Sequence, residues 1–359
     1  MIKIKNFVNR MLREVVVLRS EGKISAWLDN MGVVNYTINE DLSVDVNGDA
    51  SLSLLTYPDL GFNFLPVKFR NVSGSFSCDR CFLKSLLGCP ESVGGNFYCN
   101  NNLLISMEGC PKSVGGNFGC NNNKISNLIG CPIEVGLSFG CNSNRLTSLL
   151  GSPEKIGGDF ICDSNALVDL LFCPKFVGGG INYNFNMLSS LVGIQKNIVG
   201  DFSCASNQLF DLEGCPETVG GNFLCNMNNI SSLKGCPEYI NGKFNCSKND
   251  LYSLEGCPET VGGDFICYSN NLTSLEFCPK KVGGDFACGM NRLVSLEFCI
   301  RDIGGNFDCD MNMFKDEEGF LYDFTAAQIC MYYVNKNLHE KLDLGIPKKE
   351  STGTTLKKI

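Results

Sequence analysis

One period constrains this chain more than any other property. Phe recurs every 21 residues from Phe76 to Phe307, at Phe97, Phe118, Phe139, Phe160, Phe202, Phe223, Phe244, Phe265 and Phe286, with Ile181 the one departure. Two residues after each stands Cys, from Cys78, Cys99 and Cys120 to Cys309, replaced once by Tyr183. Three further on comes Asn, unbroken from Asn102 and Asn123 to Asn312. A Leu or Ile follows two later, a Leu or Met three after that, and then usually Gly-Cys-Pro. Val or Ile three residues past the Pro, followed by Gly-Gly, closes the unit. A grid that never slips makes each unit one structural rung.

Phe-x-Cys is a period-2 pattern that puts Phe and Cys on one face and the middle residue on the other. No 3.6-residue period persists inside a unit, so the rung is not helical. Pro lacks an N–H and fixes φ, and the Cys-Pro segment therefore reads as an extended return. A rung of strand, Asn turn and return cannot bury its own apolar face, but stacked rungs can. Strands about 4.8 Å apart then form one parallel sheet, and the stack runs roughly 55–60 Å. The expected interior is a set of ladders of Phe, Cys, Leu, Leu, Cys and Val. Fully burying each Phe contributes about 1.5–3 kcal/mol before entropy is counted.

Composition narrows the function. With 44% hydrophobic and 19% charged residues the chain is too apolar to be disordered. A net charge of -8 argues against nucleic acid, because phosphate neutralisation needs clustered Lys and Arg. No apolar run reaches the roughly 18 residues of a membrane span. His339 is the only His, which removes His relays and His-rich metal cages, and no cofactor is expected.

The unit Phe-x-Cys-x-x-Asn-x-Leu-x-x-Leu resembles the Leu-x-Leu-x-x-Asn-x-Leu core of leucine-rich repeats. Its Gly-Cys-Pro return resembles the short bacterial class, and the whole unit is similar to leucine-rich-repeat proteins of tailed bacteriophages and some bacteria. The resemblance covers about residues 62–314. It implies a mainly β repeat solenoid, a right-handed arc with a parallel concave sheet, extended Pro-containing convex segments and helical caps at both ends. It also implies an Asn ladder that bonds backbone between rungs, and protein binding as the work. A bacteriophage factor that binds or inhibits a host defence protein is the function it suggests. A virion structural or adhesin component is one alternative. The recognition part of a larger system, such as a ubiquitin-ligase-like effector, is another. No Ser/His or Cys/His constellation is available, so the chain is not expected to be an enzyme.

Twenty-two Cys in a small secreted domain would suggest disulfides. Here eleven lie on strands and nine before the return, at inward positions where a small apolar residue fits; Cys81 and Cys330 are the others. Reduced structural thiols follow, and with them a reducing compartment: the cytoplasm, or the host cytoplasm if the gene is viral. Residues 1–20 carry charges throughout and no uninterrupted secretory core. Cys78-Asp79-Arg80-Cys81 is a CxxC, but zinc needs four ligands and no second CxxC exists, while Cys81 falls on the Asn position. Asn100 and Asn101 belong to turn chemistry rather than calcium binding, which needs several carboxylates at one point. Gly-Gly is read as tight backbone approach, because Leu137 and Val199 replace one Gly each and make strict positive φ doubtful. No metal site is expected.

Function must lie in residues the ladders do not dictate. The position between Phe and Cys faces outward: Tyr98, Ile161, Leu224 and Ile266 are the apolar anchors, with Asp308 at the end. The row past Cys adds Asp163, Asn226 and Tyr268; the row before Phe adds Asp159, Asp201, Asp264 and Asp285, an acidic series that steers towards a partner protein with a basic surface. The opposing view is that strand-forming residues need no ligand. Ile181 and Tyr183, with Ile194-Gln195 for Cys-Pro, mark one irregular rung that keeps core volume; it reads either as compensated drift or as a kink or contact site. The expected division is an N-terminal helical segment and β cap at 1–61, the solenoid at 62–314, a C-terminal helical cap at 315–343 and a disordered tail at 344–359. Asn47-Gly48 is a candidate hairpin turn, and Thr325 with Gln328 a capping box.

Overall fold

The computed structural model describes residues 17–52 and 63–313. The expected C-terminal helix and tail, and the helical spacing of Ile4, Val8, Met11, Leu12 and Val15, lie outside them. A helix, Glu21–Asn30, opens the described part and buries Ile24 and Leu28 against the first rungs, with Trp27 partly covered beside them.

The described chain then winds as a parallel solenoid. Phe76 pairs with Phe97, Phe97 with Phe118, Phe118 with Phe139, and so on to Phe286 with Phe307, all in register in one 13-stranded sheet. Ile181 keeps that register between Phe160 and Phe202. Consecutive rings sit 4.9–5.9 Å apart wherever both residues are Phe, and the column is buried from Phe76 to Phe286. At the gap, Tyr183 meets Phe160 edge-on at 5.7 Å. The strand cysteines and both Leu rows are buried behind them.

A second sheet stands where only an extended return was expected. Each Val or Ile after the Pro lies in a two-residue strand, such as Ser92–Val93 and Ser113–Val114, paired to its neighbours. Gly-Gly is the corner between the two sheets. Neither Gly94 nor Gly95 has positive φ, and a Cβ on Gly94 would fall 2.3 Å from the Ser73 carbonyl oxygen. Close backbone approach is thus the reason for this pair. The left-handed glycine is instead that of Gly-Cys-Pro, with φ of 86° at Gly109 and 82° at Gly214.

One expectation at the N-terminus is corrected. The antiparallel pair Tyr36–Ile38 and Val44–Val46 turns at residues 39–43, not at Asn47-Gly48. Asn47-Gly48 is a corner equivalent to Gly-Gly: Val44–Val46 joins the return sheet beside Phe69–Val72, and Ala50–Ser51 joins the Phe sheet beside Phe76–Ser77. Gly48, at φ 130°, lets the chain pass from one sheet to the other.

The Asn row closes the turn. Asn228 Nδ2 donates to the Cys204 oxygen of the preceding rung (3.1 Å) and to Cys225 O of its own (3.0 Å), while its Oδ1 accepts from Leu209 N (3.1 Å). Every rung from Asn102 to Asn312 repeats this arrangement. Cys81, at the same position in the first rung, sends its thiol to Leu52 O at 3.1 Å, so the CxxC reading gives way to a ladder role.

The irregular rung splits the return sheet. Phe176–Val177 and Asn197–Ile198 are not paired, leaving sheets of eight and five strands, while the Phe sheet runs through. Gln195, where Pro usually stands, fills the break: its Oε1 accepts from Val177 N (2.8 Å) and its Nε2 donates to Val177 O (3.1 Å). A Cβ at the first Gly position does not break pairing by itself, since Asn241 N still bonds Val219 O at 3.1 Å. The split rung has both the β-branched Val199 there and Ile194-Gln195 for Cys-Pro.

Replacing Asn228 by Ala strands buried carbonyls and an amide and is expected to cost about 3 kcal/mol in urea unfolding, with Asn228→Cys costing less because a thiol keeps one donor. Tyr183 is buried, and among the described residues its hydroxyl has no hydrogen-bond partner. Tyr183→Phe is expected to raise stability by about 1 kcal/mol in the same measurement.

Candidate functional site

The outward surface of the Phe sheet consists of three neighbouring rows, and the structure assigns each a distinct character. In the row before Phe, side chains bond the next rung. Asp159 Oδ1 accepts from Gly180 N (2.7 Å), Asp201 from Asn222 N (2.7 Å), Asp264 from Asp285 N (3.0 Å) and Asp285 from Asn306 N (2.6 Å). Asp264 also pairs with Lys243 at 2.9 Å. The Asp285 N–H, then Lys243, hold its carboxyl below the usual range. The sequence reading treated these aspartates as steering charge alone; their first use is to tie one rung to the next.

The row past Cys does the same at the N-terminal end. Asp79 accepts from Asn100 N (2.6 Å), Asn100 from Asn121 N (2.8 Å) and Asn121 from Asn142 N (3.1 Å). Burial raises the Asp79 carboxyl pKa. Gly119 and Gly140 leave the amides room: a Cβ on Gly119 would meet Asn100 Oδ1 at 2.9 Å and the Tyr98 ring at 3.0 Å, so a side chain there would have to displace them. The amides therefore lie across the sheet as a hydrogen-bonded floor, and the sequence signal for it was a Gly in the outward position beside an Asn.

Between these rows stand the apolar candidates Tyr98, Ile161, Leu224 and Ile266, with Tyr268 on the row past Cys. Ile161 is exposed at 36%, whereas Tyr98, Leu224, Ile266 and Tyr268 are half-buried, so their expected exposure is corrected: side chains in adjacent rungs about 5 Å away cover them. Asp163 accepts from the Ser164 hydroxyl (3.0 Å), and Asn182 reaches it at 3.4 Å. Asn226 is half-buried on the same row, and Asp285 and Asp308 are exposed, the latter accepting from Asp310 N at 3.0 Å. Register brings all of these onto one sheet face, with Leu224 paired to Asn245 and Asn245 to Ile266.

With this geometry, the comparison with solved structures has a definite content. YopM from Yersinia enterocolitica WA-314 superposes with a TM-score of 0.51 at 18% identity, over 70% of this chain and 60% of that one. The solenoid is a leucine-rich-repeat fold. A second leucine-rich-repeat structure, the YopM described as a leucine-rich effector protein from Yersinia pestis, covers 74% of this chain and 84% of its own at 17% identity and a TM-score of 0.41. This chain spans 60% of the length of the first YopM. No protein-family model and no curated protein matches the chain.

Sequence reasoning missed where the leucine-rich-repeat turn stores strain. The second residue past Cys is left-handed in every rung from Arg80 to Met311, at φ of 52–59°, although it is never Gly. Its N–H reaches the next rung, as Asn101 N does to Asn121 O at 2.9 Å, so stacking imposes the conformation whatever residue stands there.

Burial suppresses the nucleophilic form of individual thiols: it pushes Cys99 and Cys225 of the strand row well above an ordinary thiol, and Cys173 and Cys278 of the return row up to about 11. Among the described residues no cluster of three metal-ligating side chains occurs, and no helix is long and apolar enough to cross a membrane. Because the thiolate reacts, Cys173 and Cys278 are expected to alkylate at pH 8 roughly a hundredfold more slowly than a free thiol, recovering as pH rises towards 11. The strand row is expected to stay unlabelled until the protein unfolds. Mass spectrometry of iodoacetamide-treated native protein checks both.

Proposed function

We propose that this chain is a non-enzymatic scaffold that binds a protein on the concave face of its solenoid. The observation that carries the reading is that Ile161, Leu224 and Ile266 occupy outward positions beside the hydrogen-bonded polar row that precedes Phe, where the ladders beneath make no use of them. Apolar anchors ringed by polar groups that exclude water have the composition of a binding hot spot. Asp159, Asp201 and Asp285 are exposed along the same face, an acidic series that favours a partner with a basic surface. YopM carries the word effector in the description of one of its structures, and a role as a factor acting on a host protein inside a bacterial cell is the corresponding proposal here. A bacteriophage origin fits the repeat type, and a reducing cytoplasm fits the two thiol rows.

The test is affinity capture from bacterial lysate with the wild-type chain and with the Ile161→Asp/Leu224→Asp/Ile266→Asp variant. A protein retained by wild type and reduced at least tenfold by a variant of unchanged melting temperature supports the concave site. An identical set of captured proteins with both overturns it.

A further inference from the structure

Away from the concave sheet, the turn before the return carries an apolar row that the fold does not require. Leu87, Ile129, Leu150, Leu171 and Val192 share one position of the 21-residue grid and are exposed at 41–60%, with Glu108 the one interruption. At each of them the backbone N–H donates to the side chain two residues earlier, as Ile129 N does to Asn127 Oδ1 (3.1 Å) and Leu171 N to Asp169 Oδ1 (3.0 Å). Later rungs keep this bond with a charged residue in place: Glu213 N donates to Asp211 Oδ1 (2.9 Å) and Lys234 N to Ser232 Oγ (3.2 Å). The turn thus accepts charge as readily as Leu, and its own bonding does not explain four consecutive apolar rungs from Ile129 to Val192. Among the described residues no other grid position holds exposed large hydrophobic side chains in four successive rungs. A contiguous apolar surface of this kind marks a contact.

The chain itself supplies an occupant at the head of this row. Pro66 holds the same grid position one rung before Leu87, and Leu18 N donates to its carbonyl oxygen at 2.9 Å. Residues 1–16 are therefore joined to the row through exposed Val17 and Leu18. Their sequence sets Ile4, Val8, Met11, Leu12 and Val15 at helical spacing, with Lys3, Arg10 and Arg13 off that face. Sixteen residues of helix rise about 24 Å. Rungs about 4.8 Å apart cover that distance in five steps, from Pro66 to Leu171. A helical turn of about 5.4 Å advances little more than one rung, so helix and row stay matched to within one rung over this length. The row becomes charged at Glu213, beyond that reach.

We propose that residues 1–16 dock on this row of their own chain as an amphipathic helix, with Val15 towards Leu87, Val8 towards Ile129 and Ile4 towards Leu150. Docking removes two apolar stripes from water at once, and the tether at Leu18 makes the encounter intramolecular. The solenoid then carries a strap along one edge of its N-terminal half. The surface is separate from the concave face and stands or falls independently of it.

The test is hydrogen–deuterium exchange of the full chain, read over residues 1–16 by mass spectrometry. Wild type is expected to exchange there at least tenfold more slowly than a free peptide of the same sequence. Leu150→Lys/Leu171→Lys is expected to bring exchange within about twofold of the peptide. Lys234 already stands at this position, so the variant is expected to melt as wild type does. The control Ile133→Lys/Phe176→Lys adds the same charge to exposed return positions of nearby rungs and is expected to keep the protection. Exchange of wild type at the peptide rate overturns the proposal, as does protection that survives Leu150→Lys/Leu171→Lys. Protection that fades on dilution assigns the row to a second copy of the chain and overturns it too.

Discussion

At the bend after each strand the backbone turns its polar groups towards an apolar interior, and one asparagine per rung answers them. Asn228 satisfies two carbonyls on successive rungs and an amide of the rung before, so a single side chain joins two turns of chain and closes its own. Buried polar groups left unpaired each cost about 1–3 kcal/mol, and no other residue type in the unit supplies both donor and acceptor at that spot. The Phe and Leu columns supply the greater stabilisation, but the asparagines fix the register in which the columns stand.

The two outer polar rows extend the same logic to the surface. Aspartates such as Asp201 and Asp285, and amides such as Asn100, accept backbone N–H groups of the next rung at 2.6–2.8 Å. The face proposed for recognition is therefore held rigid by hydrogen bonds that run along the solenoid. Side chains mounted on it, Ile161 above all, are presented with little freedom to lose on binding. The same bonds limit how far an acidic count can be equated with free charge.

What was legible in the sequence follows from repetition. A Phe every 21 residues with Cys two later fixed both the buried face and the register, because an in-register stack is the only arrangement in which identical rungs bury identical positions. The return sheet was hidden, since two residues ending in Val or Ile show no alternation. The hairpin at 39–43 was hidden by a stronger local turn signal at Asn47-Gly48, which the stack uses as a corner. Exposure of Tyr98 and Leu224 was overestimated because a period-2 pattern gives direction but not the size of neighbours in the next rung. The left-handed residue past each Cys had no signature at all; Lys248 and Phe185 adopt it because the next rung demands the bond.

The bridge made by Gln195 has a mechanical meaning for the array. In a linear stack, cooperativity passes only between neighbours, and here one junction keeps its front ribbon while in the back sheet the Gln195 amide stands in for the missing backbone ladder. The molecule is thus two blocks on a shared spine, and bending, opening or stepwise melting concentrates at that seam.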